Sequence, residues 1–362
     1  MRTMTPEGLA TAALMLAVFL AALGLGSRVL PGRRMKGAVL ADSTQITYTL
    51  NGLSLFLATA LALGALQVTG VFSLATVHAH FLPLLVMANV LAFTMTFALW
   101  VKGARAGAPR RPGLAGFIKD AFFGLELNPR GAGLDLKMFA YRPSLIGLAV
   151  LNASFAVVQW EQTGTLTTPM LLYQGMTFAY VFNYFQFEYG MLHTWDVIAE
   201  NFGWMLVWGD YVLVPFFYCI SGWFLLDPAH AIAPWAAAVL PLTYAIGMWI
   251  FRGANEQKDR FKRDPSAPIW GRTPETLGGR ILVSGFWGIG RKLNYSGELM
   301  VYFSWTLLTG FQSFVPYLLP GWLLGLLIHR AWRDEERCAA KYGPLWEEYR
   351  RRARFRMFPF VY

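Results

Sequence analysis

Phe81-Leu-Pro-Leu-Leu-Val-Met-Ala-Asn-Val-Leu-Ala-Phe-Thr-Met-Thr-Phe-Ala-Leu-Trp100-Val is followed at once by Lys102-Gly-Ala-Arg105-Ala-Gly-Ala-Pro-Arg110-Arg111-Pro112. The first part carries no charge, and a helix needs about 20 apolar residues to cross the hydrocarbon core. The second part is basic and broken by Gly and Pro, so run 103–113 reads as an exposed loop. The pair reads as a membrane span and its water-facing flank. Comparable apolar runs lie near 9–26, 46–70, 143–159, 170–187, 204–226 and 232–251, with two shorter ones near 297–309 and 312–329. The expected fold is all-α, a polytopic transmembrane helical bundle of about nine to ten spans. The first run is as long as a span and no A-x-A-like site ends it, so it is expected to be a retained helix rather than a signal peptide.

Composition agrees. Of 362 residues, 56% are hydrophobic and 14% charged, against about 25% charged in an average soluble protein. Disorder needs the opposite balance. The two cysteines, Cys219 and Cys338, are too few for a disulfide framework or a zinc site.

The charges are unevenly placed. Bases outnumber acids four to one in 28–42, eight to three in 101–142, seven to four in 252–280 and nine to five in 330–362. Segments 71–80, 160–169 and 227–231 contain no Lys or Arg. Basic loops stay cytoplasmic. A nine-span arrangement, N-terminus out and C-terminus cytoplasmic, puts all four basic segments on one side. The net charge of +10 is thus a topology signal, and no nucleic-acid motif accompanies it. Richness in Ala, Gly and Arg favours a bacterial inner membrane, with the endoplasmic reticulum expected for a eukaryotic source.

Segment 188–203 resists this pattern. It carries Glu188, Asp196 and Glu200 with no Lys or Arg, and Asp210 follows inside an apolar run. Acids within a span face a cavity or a partner. An acidic loop with one capped or paired Asp and a polar pocket entering the membrane are both open readings. His193, with no second ligand at metal spacing, reads as a hydrogen-bonding residue and no metal is expected.

Three cationic clusters follow. Around 252–262, Asn255, Lys258 and Lys262 share one helical face, and Arg252 is expected to close the preceding span. Their plainer reading is as snorkelling anchors. Around 282–298 stand Trp287, Arg291, Lys292, Asn294 and Tyr295. Gly285, Gly288 and Gly290 do not make a nucleotide loop, since the spacing is wrong and no βαβ unit surrounds them; they are expected to let helices pack closely. Around 330–349, Arg333, Arg337 and Lys341 recur at i, i+4, i+8 and Gly343-Pro344 ends the helix. A solvated amphipathic surface helix is the plainer reading there. Taken together, cations flanked by Asn, Asp and Tyr on one membrane face suit the phosphates and ribose of a dinucleotide.

At this point the residues resemble a family, the membrane sterol reductases, which include Δ14-, Δ7- and 24(28)-sterol reductases and the lamin B receptor. The likeness is carried by Phe123-Gly-Leu-Glu126-Leu-Asn128-Pro129-Arg130, Asp135-Leu-Lys137-Met-Phe139, Arg142-Pro143, Trp195-Asp196, and Phe202-Gly203-Trp204-Met-Leu-Val-Trp-Gly209-Asp210, together with the three clusters. It covers about residue 85 to Tyr362. Residues 1–80, N-terminal transmembrane helices, give little family signal; 81–362 form the reductase-like membrane domain. Within it the resemblance implies a substrate cleft over roughly 120–230 and a basic cytoplasmic C-terminal cofactor region over roughly 252–362. It implies NADPH as cofactor, with Lys258 and Lys262 on one wall. Leu282, Trp287, Asn294 and Tyr295 look like a second wall, with the cations Arg291 and Lys292 also expected to bind the cofactor. Asp334, Cys338, Ala339, Ala340, Lys341, Tyr342 and Tyr349 look like a third, with Arg337 also expected to bind the cofactor. The family commonly has Arg where Lys262 stands and Asp where Glu298 stands. Isoprenylcysteine methyltransferases share part of the C-terminal pattern and bind S-adenosylmethionine, but lack the upstream motifs; they are the alternative, with a non-catalytic sterol-binding protein.

The implied reaction is NADPH-dependent reduction of a carbon–carbon double bond in a sterol taken from the bilayer, with no obligate protein partner. An isolated double bond must be protonated before hydride can add. Asp210, which interrupts an apolar run, is the expected donor, ahead of Asp196, Glu200, Tyr189 and Tyr218; burial keeps a carboxyl protonated. Cys338 is expected to pack in the cofactor pocket. Phe202–Asp210 and Ser284–Gly288 resemble the Δ7 branch, with Δ14 close behind.

Overall fold

The computed structural model describes residues 4–40 and 43–361. The chain divides into two compact units, Met1–Pro228 and Ala229–Tyr362. Among the described residues, five helices are long and apolar enough to cross a membrane: Pro6–Val29, Phe81–Arg105, Leu136–Thr163, Trp204–Phe224 and Pro234–Arg263. Helices also occupy the other apolar runs, as Gly52–Val68, Thr168–Gln186, Leu293–Leu307 and Leu318–Tyr342.

Three helix starts in the first unit are capped by a side-chain acceptor. Thr5 accepts from the Gly8 amide ahead of Pro6, Asp135 from Met138, and Thr167 from Met170, each satisfying an N–H that has no partner inside its helix. Leu136–Thr163 is the centre of this unit. Of its most apolar stretch 61% is buried, against 22% for Pro6–Val29 and 28% for Phe81–Arg105. The last two keep Leu14, Val18, Leu25, Phe93 and Phe97 exposed, a surface that suits lipid and not water.

The all-α expectation needs correction, as does the helix read from residue 46. Gln45–Leu50 is a strand, paired antiparallel with Arg33–Val39 in the register Arg33↔Leu50 and Met35↔Tyr48. Ile46, Thr47, Tyr48 and Thr49 are β-branched or aromatic and favour a pleated strand; hydropathy alone does not separate this from a helix. Two shorter hairpins, Arg130–Gly131 with Leu134–Asp135 and Thr276–Leu277 with Ile281–Leu282, complete the strands among the described residues.

Trp204–Phe224 is not a uniform helix. Its middle, Gly209–Phe217, is π-wound and contains Pro215, which has no N–H to give the helical ladder. Gly203, which precedes this helix, sits against Gly124: a Cβ on Gly203 would overlap the Gly124 nitrogen. The two glycine-bearing motifs of the sequence therefore meet backbone to backbone. Phe202 N donates to Glu126 O (2.9 Å) and Asn201 Nδ2 to Gly124 O (3.1 Å), sealing the junction.

In the second unit Pro234–Arg263 crosses Leu293–Leu307 at Gly247 and Gly297, where a Cβ on Gly297 would stand 2.6 Å from the Gly247 carbonyl oxygen. Of Gly285, Gly288 and Gly290, Gly285 also packs closely on Pro234–Arg263, where a Cβ would overlap Gln257 Oε1; the other two meet their own loop and its neighbours. Arg252 does not close its helix, which runs on to Arg263 because nothing breaks it before Pro265. Gly343-Pro344 does separate Leu318–Tyr342 from the helix Pro344–Arg352.

Candidate active site

In the first unit the acids of 188–210 separate into two groups. Glu188 is a structural anion. Its carboxylate accepts from Arg142 Nη2 at 2.9 Å and from Nε at 3.1 Å, and its second oxygen accepts from the Gly52 amide at 2.9 Å. Arg142 also donates to the Thr49 carbonyl (2.8 Å), and both side chains are almost fully buried. The cluster ties the hairpin and the start of Gly52–Val68 to the central helix.

Asp196, Glu200 and Asp210 belong to the second group, and a lysine organises it. Lys137 is buried and its ammonium donates to the carbonyl oxygens of Asp196 (2.8 Å) and Glu200 (2.6 Å). The charges of Asp135, Asp196, Glu200 and Asp210 all act on it, and Asp210 in turn feels Asp196 and Lys137. Glu200 accepts from the indole of Trp195 at 2.5 Å. Asp210 lies at the start of the π-wound stretch, and Trp208 Nε1, two residues earlier, donates to Asn89 Oδ1 (2.9 Å). Tyr189 sits in the 3-10 turn Glu188–His193 and Tyr218 just after the π-wound stretch, while His193 is exposed. Sequence reasoning missed Lys137 as a member. The available signal was a cation in the first turn of an apolar helix, where the helix dipole disfavours it and a strong partner is required.

The second unit brings together much of the three cationic clusters. Lys258 Nζ stands 4.6 Å from the ring centre of Trp287, whose indole N–H donates to Ala254 O (2.8 Å). Tyr349 holds that tryptophan from behind, donating its hydroxyl to Trp287 O (2.9 Å). Leu282 packs with Trp287, Phe261 and Ile269. Lys292 is buried and ion-paired with Asp334. Cys338 Sγ lies 3.9 Å from the same carboxylate. Burial works to raise the Asp334 carboxyl, but Lys292, with Lys258 and Arg337, outweighs it and holds the group below the usual carboxylate range. Burial and the Asp334 charge push the Cys338 thiol up, so it is packing and not a nucleophile. Asn294 Nδ2 donates to Asn255 Oδ1 (3.2 Å), while its own buried Oδ1 has no partner.

The third wall divides. Asp334, Cys338 and Tyr342 lie at i, i+4, i+8 and turn inward, Tyr342 joining the cluster of Leu277, Trp346 and Tyr349. Arg337, Ala339, Ala340 and Lys341 are exposed on the outer faces of the same helix. Lys262 is exposed as well, and Tyr295 stands in the first turn of Leu293–Leu307. Arg291, expected beside Lys292 on a phosphate, has another task. Its Nε donates to Glu335 (2.7 Å) and its Nη1 to the carbonyls of Ala353 (2.6 Å) and Arg354 (3.0 Å).

The chain resembles proteins of known name over nearly its whole length. It is 40% identical to the Delta(14)-sterol reductase of Arabidopsis thaliana over 344 residues, 94% of this chain and 93% of that protein. It is 38% identical to the Delta(14)-sterol reductase of Methylotuvimicrobium alcaliphilum over 337 residues, 92% and 79% of the two. It is 36% identical to the mouse Delta(14)-sterol reductase TM7SF2 over 342 residues, 92% and 82%. The model of the ergosterol biosynthesis ERG4/ERG24 family matches residues 7–362, reaching well before residue 85, where the resemblance read from the sequence starts, and setting aside the methyltransferase alternative. With its apolar helices and its near-complete match, the chain is an integral membrane protein that belongs to the ERG4/ERG24 family of sterol reductases.

Proposed function

We propose that this protein reduces the Δ14 double bond of a sterol drawn from the bilayer, with NADPH as the reductant. The observation that carries the reading is an aspartate, Asp210, inside a membrane helix and within reach of the charges of Asp196 and a buried Lys137. Asp210 gives its proton from a carboxyl oxygen to one alkene carbon; the O–H bond breaks, a C–H bond forms and the neighbouring carbon is left cationic. Lys137 favours this step because it stabilises the carboxylate that the proton leaves behind. NADPH, when bound, supplies the hydride that completes the reduction. The names of the three relatives favour Δ14 over the Δ7 branch suggested by Phe202–Asp210 and Ser284–Gly288.

The second unit fits an anionic dinucleotide. Lys258, Lys262, Lys292 and Arg337 carry positive charge around Asp334, while the buried Glu335 is taken up by Arg291 and Arg356. The buried Asn294 Oδ1 lacks a donor, and a ribose hydroxyl is one. Lys258 and Lys292 would hold phosphate, Asn294 ribose, and Trp287 and Tyr349 the wall behind them. Asp196, Glu200 and Tyr189 shape the donor's surroundings. The four basic segments then lie on the cytoplasmic side of about nine spans.

The test uses purified protein in detergent, NADPH, and Δ14, Δ7 and 24(28) sterols, with products read by mass spectrometry. Loss of the Δ14 bond alone, only with NADPH, is expected. Asp210→Asn should lower kcat by at least about 100-fold while NADPH still binds. Reduction of Δ7 instead, or activity surviving in Asp210→Asn, overturns the corresponding part.

A further inference from the structure

One face of Pro234–Arg263 changes character along its length. Trp235, Val239, Leu242, Ile246 and Trp249 recur at steps of four and three and all are exposed. The same stepping continues through Gly253, Glu256 and Arg260. Residues so spaced form one stripe along a helix, here running from apolar to charged. A stripe of this kind on a membrane helix passes from hydrocarbon to the headgroup level.

A cavity of about 180 Å³ lies where the character changes. Its walls include Trp249, Gly253, Glu256, Arg260, Trp270 and Phe286. The ring of Phe286 stands edge-on to both tryptophans, with centroids 5.0 Å away in each case. Trp270 arrives from the loop after the helix. It is 56% exposed and its φ is +51°, a conformation that costs a bulky residue energy and that the Ile269–Arg272 bridge closes over. Glu256 and Arg260 face each other at 3.3 Å with about half of each side chain exposed, so their pairing is weak and easily rearranged.

We propose that this cavity binds the headgroup of a phospholipid carrying a primary amine, a phosphoethanolamine, whose chains run along the exposed stripe. The headgroup presents an ammonium and a phosphate side by side, and Glu256 and Arg260 present the complementary charges side by side. Arg260 donates to phosphate. Glu256 accepts from the ammonium, which also gains from the faces of Trp249 and Trp270. An anionic glycerol headgroup has no cation for Glu256, and a choline has no N–H for it. The small volume takes a headgroup only and leaves the chains to the helix face. The site is independent of the reductase chemistry and contains none of the residues assigned to it.

The test measures lipid binding to the intact protein in detergent, by native mass spectrometry and by the shift in thermal unfolding midpoint. The probes are short-chain phosphatidylethanolamine, phosphatidylcholine and phosphatidylglycerol. Phosphatidylethanolamine should bind best and raise the midpoint most. Glu256→Gln, Arg260→Gln and Trp270→Ala should each weaken it about tenfold or more, with the lipid-free midpoints of the two charge variants unchanged. Arg351→Gln, an exposed base elsewhere, should change nothing. Phosphatidylglycerol or phosphatidylcholine binding as well as phosphatidylethanolamine overturns the proposal. So does unaltered binding in Glu256→Gln, an equal loss in Arg351→Gln, or retention of none of the three lipids.

Discussion

Arg142 and Glu188 form an ion pair inside the first unit, Nη2 to Oε1 at 2.9 Å with both side chains buried. Removing one member of such a pair leaves an uncompensated charge and costs about 3–5 kcal/mol. Glu188→Ala should therefore lower the unfolding midpoint sharply. The double variant Arg142→Met, Glu188→Leu should recover part of that loss. A Glu188→Ala protein as stable as the parent would mean that the pair does not hold the hairpin.

The contact of Gly124 with Gly203 admits no side chain. Gly203→Ala should fail to accumulate as folded protein, since its Cβ would meet backbone and not a yielding side chain. Gly190 is the control, because a Cβ there would meet nothing within 4 Å. Gly190→Ala should express and unfold like the parent.

Much of this was legible in advance, and the reasons for the rest are specific. The charge-free run 81–101 became Phe81–Arg105 because length and polarity suffice for a span. Gln45–Leu50 was hidden because an apolar strand next to an apolar helix reads as one hydrophobic run. The periodicity of 333–342 identified helical faces correctly, yet spacing does not say which face turns inward. Asp334, Cys338 and Tyr342 turn in; Arg337 and Lys341 do not. The partnership of Lys137 with Asp196 and Glu200 joins distant segments; the cation in a helix's first turn signals that a partner is needed, but not which one.

Acid should weaken the second unit through two carboxylates. Burial raises the Asp334 group, but Lys292, Lys258 and Arg337 bring it below its ordinary value. For Glu335 burial is likewise outweighed, by Arg356 and Arg291. A depressed carboxyl contributes stability above its unfolded-state value and loses it as pH falls through the folded-state one. The loss should therefore begin below about pH 4. Glu335→Gln should flatten the dependence of the unfolding midpoint on pH in that range. An unchanged slope would mean that these pairs are not the acid-sensitive elements.

Tyr349 acts at one remove from the cofactor residues. Its hydroxyl donates to the Trp287 carbonyl (2.9 Å), and Tyr349→Phe leaves that buried acceptor unpaired at a cost of about 1–3 kcal/mol. Because Trp287 faces Lys258, the variant should weaken NADPH binding as well as stability. A loss of stability with NADPH affinity intact would confine Tyr349 to packing.

The way the tail is fastened bears on how the protein is made. Arg291 reaches three successive carbonyls, Ala353 and Arg354 through its guanidinium and Phe355 through its amide, and Ser296 donates to Met357 at 2.5 Å. The first of these partners lies 62 residues downstream. While Leu293–Leu307 is emerging from a ribosome, those acceptors have not yet been translated. A nascent chain halted before residue 353 can offer Arg291 the Glu335 carboxylate but none of the carbonyls, so buried donors are left without partners. The second unit cannot satisfy Arg291 until residues 353–355 have been made, and a chain that stops short of them keeps a buried guanidinium with half its partners.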